Sequence, residues 1–258
     1  ASDVYKRQPL GVRSRLRLFA AQCILKLATC DAYASLILPR MGRLSYALQD
    51  ECFQVRMHLL HDLLLYLMRD ELPTEFHAAI FLVAFDPEDE PRVQVASYTR
   101  RLQVLPPIVR HERLERIIVR FLHLLAHHPD LNAESPQTLC SFARYLEFYL
   151  ACVACETNIG VLARFSACVR TYIDLSLSEP SVENSRPLYA MAELAQFLIQ
   201  RLADNHGWTI YPVDEEAPCP KDILRSTGTI ARSVLDGEVW ELLQQQPRRH
   251  RDKKTKVA

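Results

Sequence analysis

The sequence predicts an all-α fold, built as a solenoid of stacked helix pairs. Its apolar side chains are rich in Leu and Ala and recur at helical spacing, whereas strands would show alternation. Glycine is scarce, with six in 258 residues, and a short charged pattern occurs twice at a fixed interval. An interval of roughly 36–40 residues in a helical chain is typical of HEAT-type helical-hairpin repeats.

The repeated pattern is an Asp that ends one apolar run and an Arg six positions later, where the next run begins. The first copy is Asp50 with Arg56 and the second is Asp86 with Arg92. The interval from Asp to Asp is therefore 36 residues, and so is the interval from Arg to Arg. If the Asp lies in the turn of each helix pair, stacking brings it close to the Arg of a neighbouring repeat. We expect a partly buried ladder of charge-assisted hydrogen bonds. Two unrelated surface charge pairs are the alternative.

The predicted helices follow one another with short breaks. In chain order they span 11–29, 32–48, 51–68, 74–85, 91–102, a long helix after the Pro106-Pro107 break to 128, 137–157, 161–175, 188–203 and a weak helix at 229–246. Pro39 should bend the second helix, because its ring displaces a backbone hydrogen bond. Ser135-Pro136 is a strong helix start, with Ser as the N-cap and Pro in the first position.

The first helix carries an apolar stripe. Its members fall on one helical face, the arrangement typical of a helix that packs on a core; they are Leu16, Phe19, Ala20, Cys23, Ile24 and Leu27. Arg17 begins a repeat-like run 39 residues before Arg56, although Gly11 stands where the ladder Asp would be.

Composition divides the chain into four predicted segments: 1–10 disordered or non-native, 11–207 solenoid, 208–246 irregular C-terminal extension with weak helix, and 247–258 basic disordered tail. Basic and acidic residues balance at 31 each, but the last eleven residues hold six Lys or Arg and one Asp, which leaves a body of net charge −5. The tail cations are candidate nucleic-acid contacts, with a solvated terminus as the alternative. They are Arg248, Arg249, Arg251, Lys253, Lys254 and Lys256.

Neither the cysteines nor the histidines indicate a metal site or a cofactor. The cysteines are scattered, at positions 23, 30, 52, 140, 152, 155, 168 and 219. The single CxxC, Cys152 to Cys155, lacks a second pair at zinc-finger distance, so we predict reduced structural thiols in a reducing compartment. His123 and His127 stand four apart, but the Glu of HExxH is absent and no third ligand is evident. The sequence therefore predicts no metal.

Arg113, Arg116 and Arg120 are predicted to form a secondary basic ridge on the long helix, partly offset by Glu112 and Glu115. A solvated face is the alternative to a partner site. No run of 18 uncharged apolar residues occurs, so no membrane span is predicted, and the polar opening lacks the apolar region of a signal peptide.

Several segments together resemble the cohesin-associated precocious-dissociation-of-sisters family. In chain order they are Gln54–Leu60, Ile80–Pro87, Phe121–Asp130 (FLHLLAHHPD), Ser185–Leu198 and Trp208–Leu224. Their shared order and spacing extend over about 50–225, most of the chain. The resemblance implies the C-terminal third of a longer, hook-shaped HEAT protein. The sequence departs from the family pattern in two ways: the N-terminal two-thirds is absent, and the tail is shorter than the family's tails typically are.

The resemblance also implies a function: a non-catalytic scaffold on chromatin in the nucleus. Such proteins bind the kleisin subunit of cohesin and act with a Wapl-type release factor and an Eco-type acetyltransferase on how long cohesin stays on chromosomes. A nuclear-transport or other HEAT adaptor is the alternative. A HEAT-like DNA glycosylase is an alternative from another class, and it would need an acid in a basic, aromatic-lined groove. Both Trp residues, Trp208 and Trp240, lie outside the repeats, so the sequence does not indicate such a groove.

Overall fold

A computed structural model of the chain describes residues 8–245. Within this range the fold is all-α, which confirms the predicted class, and its β structure amounts to two three-residue strands. None of the helices in 8–245 combines the length and the apolar character needed to cross a membrane.

The elements follow one another along the chain with short connections. The α-helices are Leu10–Leu27 (α1), Asp31–Ile37 (α2), Met41–Ser45 (α3), Phe53–Met68 (α4), Asp89–Gln103 (α5), Pro107–Arg110 (α6), Ile118–Ala126 (α7), Pro136–Val153 (α8), Ile159–Cys168 (α9), Arg186–His206 (α10) and Gly237–Gln245 (α11). Four 3₁₀ helices span Leu38–Arg40, Tyr46–Gln49, Thr74–Phe85 and Val169–Thr171, and a π-helical turn spans His111–Glu115. The strands are Tyr172–Asp174 (β1) and Leu224–Ser226 (β2).

Several of the predicted helices are shorter or more broken than the sequence pattern indicates. The predicted helix at 32–48 is four short pieces, because Pro39 lies in the 3₁₀ turn that separates α2 from α3. The long helix to 128 is interrupted by the π-turn, where the Arg116 amide bonds the His111 carbonyl five residues back. The predicted helix at 161–175 ends at Cys168, and the chain then enters β1.

The 3₁₀ helix Thr74–Phe85 is the centre of the core. Every residue from Phe76 to Ala84 is buried, since α4, α5, α7 and α8 surround it. A helix that is apolar all round must be enclosed by other elements. Phe81 marks the middle, with its ring 4.9 Å from that of Tyr149 and 5.7 Å from that of Phe121.

The apolar stripe predicted to pack on the core from α1 lies outside it. Leu16 and Phe19 are 48% and 66% exposed, and the residues buried are instead Ala21 and Leu25. The reason is that α1 packs on α4 through its opposite face. Within residues 8–245 the predicted stripe has no neighbouring element to cover it.

The chain after α10 runs back along the helices. β2 pairs antiparallel with β1, and α11 packs on α8. Arg120 donates two hydrogen bonds of 2.8 Å to Asp222. The buried Glu193 carboxylate accepts the backbone amides of Val234 and Leu235, each at 3.0 Å. These contacts attach residues 208–236 to the solenoid. We call this segment, residues 208–236, the strap.

Replacing Gly160 with alanine is expected to displace the strap. A Cβ there would lie 2.6 Å from the Tyr211 carbonyl oxygen and 3.2 Å from Val213 Cγ2. Overpacking of this kind costs about 1–3 kcal/mol, partly offset by the roughly 1 kcal/mol that Ala gains over Gly in a helix. Urea unfolding of Gly160→Ala should give a lower midpoint, and proteolysis near Tyr211 should be faster. The matched control is Gly42→Ala, whose Cβ would meet its nearest neighbour at 3.5 Å. Equal stability of both variants would contradict the expectation.

Candidate functional site

The Asp50 carboxylate accepts hydrogen bonds from Arg17, the arginine of the preceding repeat. Arg17 donates to its carboxylate through Nε at 2.6 Å and Nη2 at 2.8 Å. Burial alone would raise the pKa of Asp50, but the hydrogen bonds from Arg17 and from the Cys52 amide outweigh it and lower this pKa. Arg17 is therefore a member of the ladder, although Gly11 and not an Asp stands six positions before it. The 39-residue interval to Arg56 was the signal that could have included it.

The second rung, Arg56 with Asp86, is more deeply buried. Arg56 donates through Nε at 2.7 Å and Nη2 at 3.2 Å, and it also bonds Glu88. Side-chain exposure is 8% for Arg56 and 1% for Asp86. A two-point arginine–carboxylate contact with so little water is geometrically specific.

The six-residue spacing from Asp to Arg has its own structural reason. Arg56 Nη1 donates to the Asp50 carbonyl at 2.9 Å, and Arg92 makes the equivalent bond to the Asp86 carbonyl. Each Asp carboxylate also accepts the amide two residues on, at 2.9 Å after Asp50 and 3.0 Å after Asp86. Arg92, the last of the series, pairs with Asp89 on the surface. The ladder therefore joins three successive repeats.

A cavity of about 500 Å³ opens beside the ladder, between it and α8. Gln49 lines the cavity, and its side-chain amide donates to the Leu82 carbonyl at 3.0 Å and to the Tyr145 hydroxyl at 2.5 Å. The amide oxygen of Gln49 accepts a hydrogen bond from His128 Nε2 at 2.6 Å. Burial raises the pKa of Tyr145 to about 12, so its hydroxyl keeps its proton at neutral pH.

One wall of this cavity is aromatic and its mouth is acidic. The ring of Tyr145 lies 4.6 Å from that of Phe85 and 5.3 Å from that of Phe142. The Arg144 guanidinium stacks over Phe85 at 4.2 Å. Asp130 lines the cavity with its side chain 83% exposed. Apolar walls with a few oriented polar groups are typical of binding sites.

His123 and His127 meet an acid that the sequence did not reveal. Asp174, in β1, places Oδ1 3.3 Å from His123 Nε2 and Oδ2 2.5 Å from His127 Nε2. Burial would raise the pKa of Asp174, but the two imidazoles outweigh it and hold this pKa far below its usual range. Burial lowers the pKa of His123 despite the carboxylate beside it. The acid lies about 50 residues downstream, so no local spacing could have identified it.

The three arginines predicted to form a basic ridge do not share a solvated face, and that prediction is wrong. Arg120 is 4% exposed, because it is buried against Asp222 of the strap. Arg113 reaches back to Asp70, and Arg116 pairs with Glu112. Each positive charge is matched by an acid within 8–245, so the helix presents no basic ridge.

Two other predictions concern the thiols and the tail. All eight cysteines lie within residues 8–245, and none of them forms a disulfide there. Cys23 and Cys30 are exposed, so these two do not act as small core hydrophobes. The six tail cations at 248–256 lie outside the described residues.

Comparison with known proteins gives a consistent result. The family model described as "Sister chromatid cohesion protein PDS5 protein" matches residues 2–225. The chain is 26% identical over 227 residues to sister chromatid cohesion protein pds5 of Schizosaccharomyces pombe, covering 88% of the chain and 18% of that protein. It is 24% identical over 255 residues to PDS5 of Saccharomyces cerevisiae, covering 90% and 20%. PDS5 homolog A of Danio rerio is 36% identical over 138 residues, which is 49% of the chain and 10% of the relative. The chain spans about a fifth or less of these relatives.

Proposed function

The chain belongs to the PDS5 family of sister chromatid cohesion proteins, and from that premise we propose that it is a non-catalytic part of a scaffold that binds a short kleisin segment of cohesin. The observation that carries the proposal is the cavity of about 500 Å³ between the ladder and α8. Its aromatic wall suits an apolar anchor residue of the partner.

Charge supports a basic partner segment. The body of the chain carries a net charge of −5, and the Asp130 carboxylate stands exposed at the cavity mouth. A Lys or Arg next to the apolar anchor would lie close to this carboxylate. Electrostatics of this kind mainly raise the association rate, so binding should weaken with salt.

The wider setting is proposed from the family alone. The Wapl-type release factor and the Eco-type acetyltransferase are proposed as further partners of the full-length protein, in the nucleus and on chromatin. The cations at 248–256 are proposed to contact DNA without reading its sequence, since an extended basic segment meets phosphates and no base edges.

We expect labelled kleisin peptides to bind the chain with a Kd of about 1 μM or weaker, which corresponds to about −8 kcal/mol at most. Fluorescence anisotropy measures this directly. Asp130→Lys should weaken the binding, whereas Glu134→Lys, an exposed acid of the same loop that lies outside the cavity lining, should change it little.

A second pair of variants tests the cavity itself. Ser141→Trp should fill it and abolish binding, while Ala151→Trp, at an exposed position of the same helix away from the cavity, should not. Equal binding by all four variants would exclude the cavity as the site. Absence of kleisin binding, with capture of nuclear-transport cargo instead, would favour the adaptor alternative.

A further inference from the structure

His123, His127 and Asp174 form a cluster that the proposed scaffold role does not use. Their ligand atoms all lie within 4.8 Å of one another. The two histidines are four positions apart on α7, so they project from one helical face. Asp174 comes from β1, an element far away in the chain. Three nitrogen and oxygen donors therefore converge from two separate elements.

The donor chemistry and spacing fit a transition-metal ion. Zn²⁺ binds imidazole nitrogen at roughly 2.0–2.1 Å and carboxylate oxygen at roughly 2.0–2.2 Å, which separates tetrahedral ligand atoms by roughly 3.3–3.5 Å. His123 Nε2 and Asp174 Oδ1 are already 3.3 Å apart. The 2.5 Å contact of His127 with Oδ2 is a hydrogen bond that must open to admit an ion. The His127 side chain is 31% exposed, so burial does not enclose it on every side.

Asp174 is held in place before any ion arrives. The Ser176 amide donates to its Oδ1 at 2.8 Å, and its own amide donates to Ser185 Oγ at 3.0 Å. β1 is fixed in turn by its pairing with β2, in which Asp174 is opposite Leu224. Outer contacts of this kind orient metal ligands.

A route to the cluster and a further donor are both present. A cavity of about 420 Å³ is lined by His123, His127 and Ser176. Ser176 Oγ lies 3.1 Å from His123 Nε2, and water can enter from the cavity side. Three protein ligands with one position left for hydroxyl or water is a common coordination pattern for zinc.

We propose that His123, His127 and Asp174 bind one divalent transition-metal ion of the zinc class, with Ser176 or water in the fourth position. The ion joins α7 to β1 and, through β1, to the strap that pairs with it. Nitrogen and carboxylate ligands without sulfur distinguish this site from any binding to the eight cysteines.

Cobalt(II) titration of the reduced, chelator-treated 258-residue chain tests the proposal. We expect a visible d–d spectrum that saturates at one ion per chain, lacks the thiolate-to-cobalt charge-transfer band, and disappears on addition of Zn²⁺. His127→Gln should lower the affinity by more than about 100-fold, because loss of an outer hydrogen-bonding partner alone costs roughly 10- to 100-fold. His61→Gln, which changes an exposed histidine of α4, should bind as the wild type does.

The outcomes separate a metal site from a hydrogen-bonded cluster. A folded wild type without the d–d spectrum would overturn the proposal and leave the imidazoles as donors to Asp174. A spectrum unchanged in both His127→Gln and Asp174→Asn, or one dominated by the thiolate band, would overturn it equally. Because His127 is partly exposed, its variant should keep the helical circular dichroism of the wild type.

Discussion

Arg56→Ala is expected to lower the free energy of unfolding by about 3–5 kcal/mol, because it leaves the Asp86 carboxylate buried without its counter-ion. Asp86 is 1% exposed at its side chain, and its remaining partner is the Glu88 amide at 3.0 Å. The carbonyl of Asp50 loses a donor in the same variant. Urea denaturation followed by circular dichroism measures the loss.

A double-mutant cycle separates the coupling energy of the Arg56–Asp86 pair from the cost of truncating either side chain. Arg56→Ala, Asp86→Ala and the double variant should be non-additive, since removal of both charges leaves no stranded ion. The same cycle on Arg17 and Asp50 is the matched control and should give a smaller coupling, because Arg17 is 27% exposed. Additive losses in the Arg56–Asp86 cycle would show that the rung does not act as a unit.

Acidification is expected to destabilise the fold by about 3 kcal/mol through His77 alone. The side chain is buried, with Nδ1 2.7 Å from the Thr74 carbonyl and Nε2 2.9 Å from the Tyr98 hydroxyl. Burial lowers the pKa of His77 to about 4 from an ordinary value of 6.5. A gap of about 2.5 pKa units corresponds to about 3 kcal/mol.

The sign of this effect follows from which state binds the proton first. The unfolded chain protonates His77 near pH 6.5 and the folded chain only near pH 4. The stabilisation is therefore complete above about pH 6.5, declines by up to about 1.4 kcal/mol per pH unit as pH falls, and is lost below about pH 4.

His77→Gln isolates this contribution from other groups that titrate on acidification. Burial also lowers the pKa values of His123 and His128, so the wild type alone would report a sum. The pH dependence of unfolding should be flatter in His77→Gln, while His58→Gln, an exposed control on α4, should follow the wild type. Parallel curves for wild type and His77→Gln would contradict the depressed pKa.

The features predicted from sequence are those that depend on local periodicity. The helical spacing of Leu and Ala is visible within each segment of the sequence, so the all-α class and most of the helices were predicted correctly. Ser135 is also recognisable locally, and its hydroxyl accepts the Thr138 amide at 3.3 Å as an N-cap should. Helix interruptions were less predictable, because the π-turn at 111–115 and the end at Cys168 leave the apolar pattern unbroken.

What tertiary structure decided is which side chains meet and which faces are covered. The sequence determined the 36-residue intervals from Asp50 to Asp86 and from Arg56 to Arg92. Only stacking brings Arg17 to Asp50 and Arg56 to Asp86. Likewise the stripe of α1 has the periodicity of a buried face, yet its opposite face packs on α4. Periodicity describes one element, whereas burial depends on the element packed against it. Asp174 reaches His123 and His127 because β1 packs beside α7, a contact between segments that no pattern along the chain encodes.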